Sequence, residues 1–561
     1  MKRLVAVILT ICLLTMLVAS CGGSGGGSRN RGEVIDLVIY SQLANYSGEM
    51  VGWAAELMLE EFNVRVQIIN DGTPGTFQTR MEADFLGDII LFGSDGREYR
   101  DASRAGMLFD WEEDDLLWDY GEYIWDNFEA ALNKNKAITG TLHGFGFDVA
   151  GSSLDPQSFI YHPRIRYDLY EQMGFPVIDT VDDFIPLLAK MVEMEPVTDI
   201  GTKTYAVSSF TDWDGDMVMM VKGTPALYGW EEFHIGLYHP GTMKWQGALE
   251  PDGEYLKALK WHNTIYQMGL YDPDAMTQDW NSFYEKVQNG AVMFTLFSYM
   301  GSAFNTIENT DKGKIMMPVV AQDQTNLVNG LNIYGGNRIW TIGANSAHPE
   351  LAMEIINWFC TPEGVLTYYY GPKGVTWDYD SDGEPYMTEL GLKTQLDETT
   401  EITFRNFTGE YKEGFEHNNT TWARDSINPD SPSGNTFNYE TWASTILTLE
   451  ISPIEQKWRD WTGHIRPDEW FKEIGNITFA VGTDYSASVK SRDLNLVWDQ
   501  VTRCIREGTW RAIYASNDAE FDQIVRQMII DAYDYGYEQC VEYILIEVEA
   551  RIEAERRALA G

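Results

Sequence analysis

The sequence predicts an α/β chain of more than one lobe, built on a parallel sheet with helical crossovers. Three observations carry this. Between residues 34 and 93, strand-like apolar runs alternate with amphipathic helical runs across short connections, the order that yields a parallel sheet. The chain has 561 residues, 44% hydrophobic and 13% aromatic, which is too long for one core and too apolar for an acidic disordered chain. Residues 518–559 read as wholly helical and acidic.

Residues 34–40 (VIDLVIY) open the sheet. In residues 49–62, Met50, Trp53, Ala54, Leu57 and Met58 recur at helical spacing. Residues 63–69 alternate as a strand, 77–85 are helical, and 87–93 form a short apolar strand. Ligands of such sheets bind beyond the carboxyl ends of the strands. Here those ends are the polar loops 41–45, 70–73 and 94–96. Further on, 164–173 and 181–194 read as helices, the second with Pro186 in its first turn. Residues 204–210 read as a strand, 255–268 as a helix, 291–297 as a buried strand and 349–359 as an amphipathic helix. Trp53, Trp261 and Trp358 fall on apolar helical faces and are expected in the core.

Charge narrows the partners. With 85 Asp+Glu against 41 Lys+Arg the formal net charge is −44, which repels nucleic acid and anionic membrane surfaces. The N-terminus has Lys2 and Arg3, an apolar run over 4–19, then Cys21 and a Gly/Ser stretch. That is the pattern of a secretory signal, and the run is a little shorter than the roughly 20 residues a membrane-spanning helix needs. Val18, Ala19, Ser20 and Cys21 resemble the bacterial lipobox. The resemblance implies a signal peptide over 1–20, a lipidated Cys21 and a flexible tether over 21–32, with the domain held at the extracytoplasmic face of the cell membrane. Loss of Lys2 and Arg3 takes the charge from −44 to −46. Three further cysteines, Cys360, Cys504 and Cys540, are no disulfide framework. Only Cys504 and Cys540 are close in sequence; Cys360 reads as a buried small hydrophobe.

Several blocks then resemble one family. Residues 87–91 (GDIIL) with 105–110 (AGMLFD), residues 167–176 (YDLYEQMGFP) with 180–184 (TVDDF), and residues 348–358 (HPELAMEIINW) with 361–364 (TPEG) occur in the family's order. The chain is similar to carbohydrate-type extracellular solute-binding lipoproteins of ABC importers (solute-binding protein family 1), in the long-chain oligosaccharide-binding subgroup. The resemblance implies a two-lobed periplasmic-binding-protein-like α/β fold with a hinge, an interlobe ligand cleft and a helical C-terminal segment. Lobe 1 is expected over 33–148 plus about 315–375, and lobe 2 over 149–314 plus about 376–561. It also implies an oligosaccharide ligand, delivery to permease subunits, a monomer, and no covalent chemistry.

Aromatic rings take the CH faces of sugars, while Asp, Asn, Gln and Arg take the hydroxyls. Asp212 and Trp213 combine both after a strand and are the first candidate subsite, an exposed turn being the alternative. Trp280, Tyr299, Arg338 and Trp340 are candidates beside other strand ends, and Asn45 and Asp95 on the first lobe. Calcium is a possible cofactor. Asp378, Asp380, Asp382, Glu384, Tyr386 and Glu389 fit the calcium-loop spacing with Gly383 at position 6; a plain hairpin turn fits the same residues. The subgroup's calcium loop near 195–205 is doubtful, because residues 195–204 carry too few carboxylates.

A secreted glycoside hydrolase or lyase with paired carboxylates is the alternative, and a peptide the alternative ligand. Against an enzyme, the chain lacks H-E-x-x-H, G-x-S-x-G and P-loop motifs. The acidic balance favours a mostly neutral sugar unless Arg338 or another cation lines the cleft.

Overall fold

A computed structural model describes residues 33–560, apart from 73–74, 158–160, 416, 419–423 and 449–450. The signal peptide, Cys21 and tether lie outside the described residues.

The alternating run does form a parallel sheet. Ile35–Ser41 pairs in parallel with Val64–Asn70 on one side and Ile89–Ser94 on the other. The crossover Gly52–Phe62 buries Trp53, Leu57 and Met58, and stops where Asn63 takes a left-handed conformation and its N–H caps the last turn. A return strand, Asn337–Ile342, then pairs antiparallel with both Ile89–Ser94 and Gly144–Gly146. Two glycines permit that last pairing: a Cβ at Gly144 would collide with the carbonyl oxygen of Trp340, and one at Gly146 with that of Asn337.

The second lobe is built on a three-stranded antiparallel sheet. Its centre, Tyr161–Arg166, pairs with Phe294–Phe297 and with Met316–Pro318. The helix expected from 164 therefore starts at Tyr167 and runs to Gln172, because residues 164–166 are held in the ladder. Residues 204–210 are extended but make only single bridges, Tyr205 to Val292 and Val207 to Tyr271. The tail is two helices, Asp518–Asp534 and Tyr537–Ala560, preceded by the long helix Arg492–Ile513. Trp53 and Trp261 are buried as expected. Cys360, Cys504 and Cys540 are free thiols, Cys360 buried.

Two cores divide the chain. One gathers side chains from Leu37 to Ala150 and from Leu331 to Trp442; the other from Ile165 to Ala321 and from Ile454 to Val548. This differs from the sequence division at about 315 and 375. Met316, Met317 and Val319 belong to the second core, while Trp377, Met387 and Phe437 pack on the first. The return to lobe 1 waits for a hinge strand: Asn326–Asn329 runs parallel to Ile477–Ala480. Leu331 N–H donates to Asp155 O at 2.8 Å, and Gly482 N–H to Ser153 O at 3.1 Å. Three extended segments thus lie side by side between the lobes.

The second lobe buries charge. Arg166 is enclosed and pairs with Asp168 through Nη2 at 2.6 Å and with Glu195 through Nη1 at 2.6 Å. Lys314 binds Glu195 and, at 2.7 Å, Asp199, which Lys312 also holds at 3.1 Å. Removing Arg166 would leave the buried Asp168 carboxylate without its cation, while Glu195 would keep only Lys314. Arg166→Met should lower stability by about 3–5 kcal/mol, whereas Lys190→Met, which breaks the exposed pair with Glu193, should change it by at most about 1 kcal/mol; urea midpoints read both.

His262 is fully buried, its Nε2 3.0 Å from Thr224 Oγ1 and 3.2 Å from Met220 O. Burial pushes its pKa down from 6.5 to about 4. Folding therefore favours the neutral ring. Its contribution is complete above pH 6.5 and is lost as pH falls towards 4, up to about 3 kcal/mol. His262→Gln should flatten the stability profile over that pH range, as read by thermal melts at stepped pH.

Candidate functional site

The lobes face each other across a cleft whose first-lobe edge is the carboxyl end of the parallel strands. The return strand starts at this edge, with Asn337 opposite Ser94. Of the residues singled out in the sequence, Asn45, Asp95 and Arg338 lie near this edge. Asn45 N–H donates to His417 O at 3.0 Å, within a loop where Tyr46 lies against the His417 ring. Asp95 is committed inside the protein: its Oδ2 accepts from Ser486 Oγ at 2.9 Å. Ser486 lies in the extended strap that follows the hinge strand Ile477–Ala480. Arg338 is half-buried, and its Nε has no hydrogen-bond partner among the described residues. Burial pushes the Asp148 carboxyl up, and the Arg338 charge opposes that shift. Trp340 is a correction. It is 3% exposed and stacks on Phe147 at 4.5 Å and 7°. A strand hydrogen-bonded on both sides has no free end here, so its ring fills the first core.

The second-lobe edge carries the aromatic candidates together. Trp213 and Trp280 stack at 4.4 Å and 24°. Phe210 wedges beneath, 4.9 Å from Trp213 and 5.1 Å from Trp280. Asp212 Oδ2 accepts from the Trp280 N–H at 2.9 Å, which locks the two loops in register. Asp279 caps the helix Trp280–Gln288 by accepting from Ser282 N–H. The strip continues through Tyr299, 6.0 Å from Trp280, and Phe297, 5.4 Å from Tyr299. It ends at Tyr161, 5.7 Å from Phe297. Tyr161 packs against Ala226, Leu327 and Ala480 at the hinge, so the strip runs outward from the lobe junction. Trp213 and Tyr299 are each 41% exposed. Burial, with Glu232 and Glu231 nearby, pushes the Tyr161 phenol up to about 12.

Asp214, in the same loop as Trp213, faces inward. It accepts from Trp510 Nε1 at 2.8 Å and from Met219 N–H at 3.0 Å. Sequence reasoning missed Tyr161, Asp148 and an interlobe carboxylate, Glu440. Glu440 pairs with Arg424 at 3.4 Å, and its charge supports Arg164 across the junction, whose guanidinium burial lowers to about 10. None of these sits in a local motif; only the crossing of the chain brings them together.

Comparison with known proteins agrees with this architecture. Residues 177–375 match the family of bacterial extracellular solute-binding proteins. Among solved structures the chain is similar to the alginate-binding protein AlgQ2, at 14% identity and TM-score 0.58 over 93% of this chain and 98% of that one. It is equally similar to the S. pneumoniae substrate-binding protein FusA in complex with kestose, at 14% identity and TM-score 0.58 over 93% and 100%. An extracellular solute-binding protein from Bifidobacterium longum subsp. infantis gives 13% identity and TM-score 0.56 over 94% and 100%. At such identities the likeness is one of fold, and the fold is the two-lobed solute-binding one. No curated protein matches the sequence.

In this solute-binding fold the candidate calcium loop is a hairpin. Trp377–Tyr379 pairs antiparallel with Pro385–Met387, and 380–384 is the turn. Asp380 Oδ1 accepts from the Asp382 and Glu384 N–H groups. Glu384 turns away to Ser431, Ser433 and Asn435. Glu389 opens a helix and pairs with Lys393. Asp378 and Tyr386 lie opposite each other in the ladder, but the carboxylates between them are engaged elsewhere, Asp380 with the turn's own N–H groups and Glu384 with the 431–435 segment. Among the described residues, no three His, Cys, Asp or Glu side chains are grouped to hold a metal ion. The residues do not fit calcium. In 195–204, Glu195 and Asp199 are held by lysines instead. Adding millimolar calcium, or EDTA, should leave the melting temperature unchanged, whereas Glu384→Gln should lower it; differential scanning calorimetry separates the two.

Proposed function

We propose that this protein captures an oligosaccharide in the interlobe cleft and delivers it to the permease of an ABC importer. The aromatic strip from Trp213 to Tyr161 carries the reading. Stacked, half-exposed indoles with a carboxylate at their rim suit the CH face and hydroxyls of a sugar. Trp213 and Tyr299, each 41% exposed, flank Trp280, and several accessible rings in a row favour an oligomer over a monosaccharide. The relatives in fold include an alginate-binding protein and a substrate-binding protein in complex with kestose, both ligands being saccharides. Arg424 at the junction is paired with Glu440, and the chain's strong acidic balance disfavours an acidic ligand, which together favour a mostly neutral sugar.

Cys21 of the lipobox-like sequence is the proposed lipid attachment site, with the domain outside the cytoplasm. No helix among the described residues is long and apolar enough to cross a membrane. The protein acts as a monomer and without catalysis.

A panel of labelled neutral oligosaccharides tests the reading by calorimetry and product analysis. One or more should bind and be recovered intact. Trp213→Ala and Trp280→Ala should each weaken binding by roughly ten- to hundredfold, equivalent to about 1.5–3 kcal/mol of lost ring burial. Release of shortened sugars would replace the reading with a hydrolase.

A further inference from the structure

Two opposite charges on the first-lobe edge stand near each other without meeting. The Arg338 and Asp148 side chains are both half-buried, and each acts on the other's charge. Neither makes a hydrogen bond or an ion pair among the described residues, and the Arg338 Nε is enclosed with no acceptor. Opposite charges in a partly buried site attract strongly, so a gap between them needs a reason. The backbone supplies one. Phe147 N–H donates to Arg338 O at 3.1 Å, which fixes where both side chains start. Arg338 itself is left-handed, at φ 56°. That conformation costs a non-glycine residue free energy, and such strain gathers at ligand clamps.

The pair faces the junction. Asp148 shortly precedes Ser153, whose carbonyl accepts from Gly482 N–H between the lobes. Burial pushes the Tyr369 phenol up; Arg424 opposes that shift and Asp148 adds to it, so both charges lie close to one ring. Arg424 pairs with Glu440, whose charge reaches Arg164 on the central strand of the second lobe. Arg164 Nη1 in turn donates to Ser302 Oγ at 3.3 Å, on the helix Ser298–Phe304 that presents Tyr299. A series of neighbours thus leads from Asp148 across the crevice to the aromatic strip.

Chemistry says what suits the gap. An arginine alone would take a carboxylate, and an aspartate alone a cation. Side by side they cancel. A carboxylate is repelled by Asp148 and has no hydrogen to give it. An ammonium is repelled by Arg338 and has no lone pair to offer. A hydroxyl donates through its hydrogen and accepts through its oxygen, so one hydroxyl answers both groups.

We propose that Asp148 and Arg338 form a polar clamp in which one sugar hydroxyl donates to the carboxylate and accepts from the guanidinium, selecting uncharged sugar units over acidic ones. This deepens the oligosaccharide-capture reading and rests on it. The probes are the tightest neutral oligosaccharide of the panel above and the same chain with its primary alcohols oxidised to carboxylates, both measured by calorimetry. The unaltered protein should bind the neutral probe at least tenfold tighter. Asp148→Asn should weaken the neutral probe roughly ten- to hundredfold and narrow or reverse the gap between the probes. Arg338→Gln should weaken the neutral probe by a similar factor and leave the gap as wide or wider. In the double variant the losses should fall short of their product, because a shared hydroxyl couples them. Without ligand, Asp148→Asn should melt no lower than the unaltered protein, since no hydrogen bond is broken. Neutral-probe affinity within twofold of the unaltered value in both single variants would overturn the clamp and leave the capture reading standing. So would tighter binding of the oxidised probe by the unaltered protein, or a lower ligand-free melting temperature with equal loss of both probes. Failure of the unaltered protein to bind any oligosaccharide of the panel would overturn capture and clamp together.

Discussion

The return strand Asn337–Ile342 is the constraint on which the rest depends. It is hydrogen-bonded on both sides, to Ile89–Ser94 and to Gly144–Gly146. The chain supplies it only after passing through the second lobe. The first sheet cannot be completed, therefore, until the chain has crossed the junction and come back. Backbone groups left unpaired inside a core cost free energy comparable to lost hydrogen bonds. The two lobes are thus tied by the need to satisfy one strand, and Gly144 and Gly146 make the close approach sterically possible.

That tie also places the site. The return strand enters at the carboxyl edge of the parallel strands, so Arg338 and Asp148 arrive where Ser94 and Asp95 already end. On the other lobe, Tyr161 leads off the central strand directly after the crossing. The aromatic strip is built outward from it through Phe297 and Tyr299 to the tryptophan pair. Rigid strands therefore hold both rims, and the extended segments between them leave the lobes free to swing.

The acidic balance serves at least two different ends. Part of it is internal structure, as where Asp168 and Glu195 enclose Arg166. Part orders loops, as where Asp212 joins its own loop to Trp280 and Glu384 gathers the 431–435 turn.

How far the sequence could be read follows from the range of the interactions involved. Local periodicity was enough for the parallel strands, the crossover helix and most later helices. Residue chemistry alone singled out Asp212, Trp213 and Trp280, because a ring next to a carboxylate beside a strand end is a local pattern; Tyr299 came from its place after a buried strand in the resembled family. Spacing alone misled at 378–389, where ligand order matched a calcium loop but Asp380 caps its own hairpin turn, Glu384 turns to the 431–435 segment and Glu389 pairs with Lys393. It misled at Trp340 too, since a strand's burial depends on neighbours far away in the chain. Fold class and candidate chemistry were thus determined by the sequence itself, through short-range pattern. Only the tertiary structure decided that the two tryptophans stack, that Tyr161 extends them to the hinge, that Asp95 is held by Ser486, and where the lobes divide. Each of those rests on contacts between segments tens to hundreds of residues apart, which no local pattern encodes.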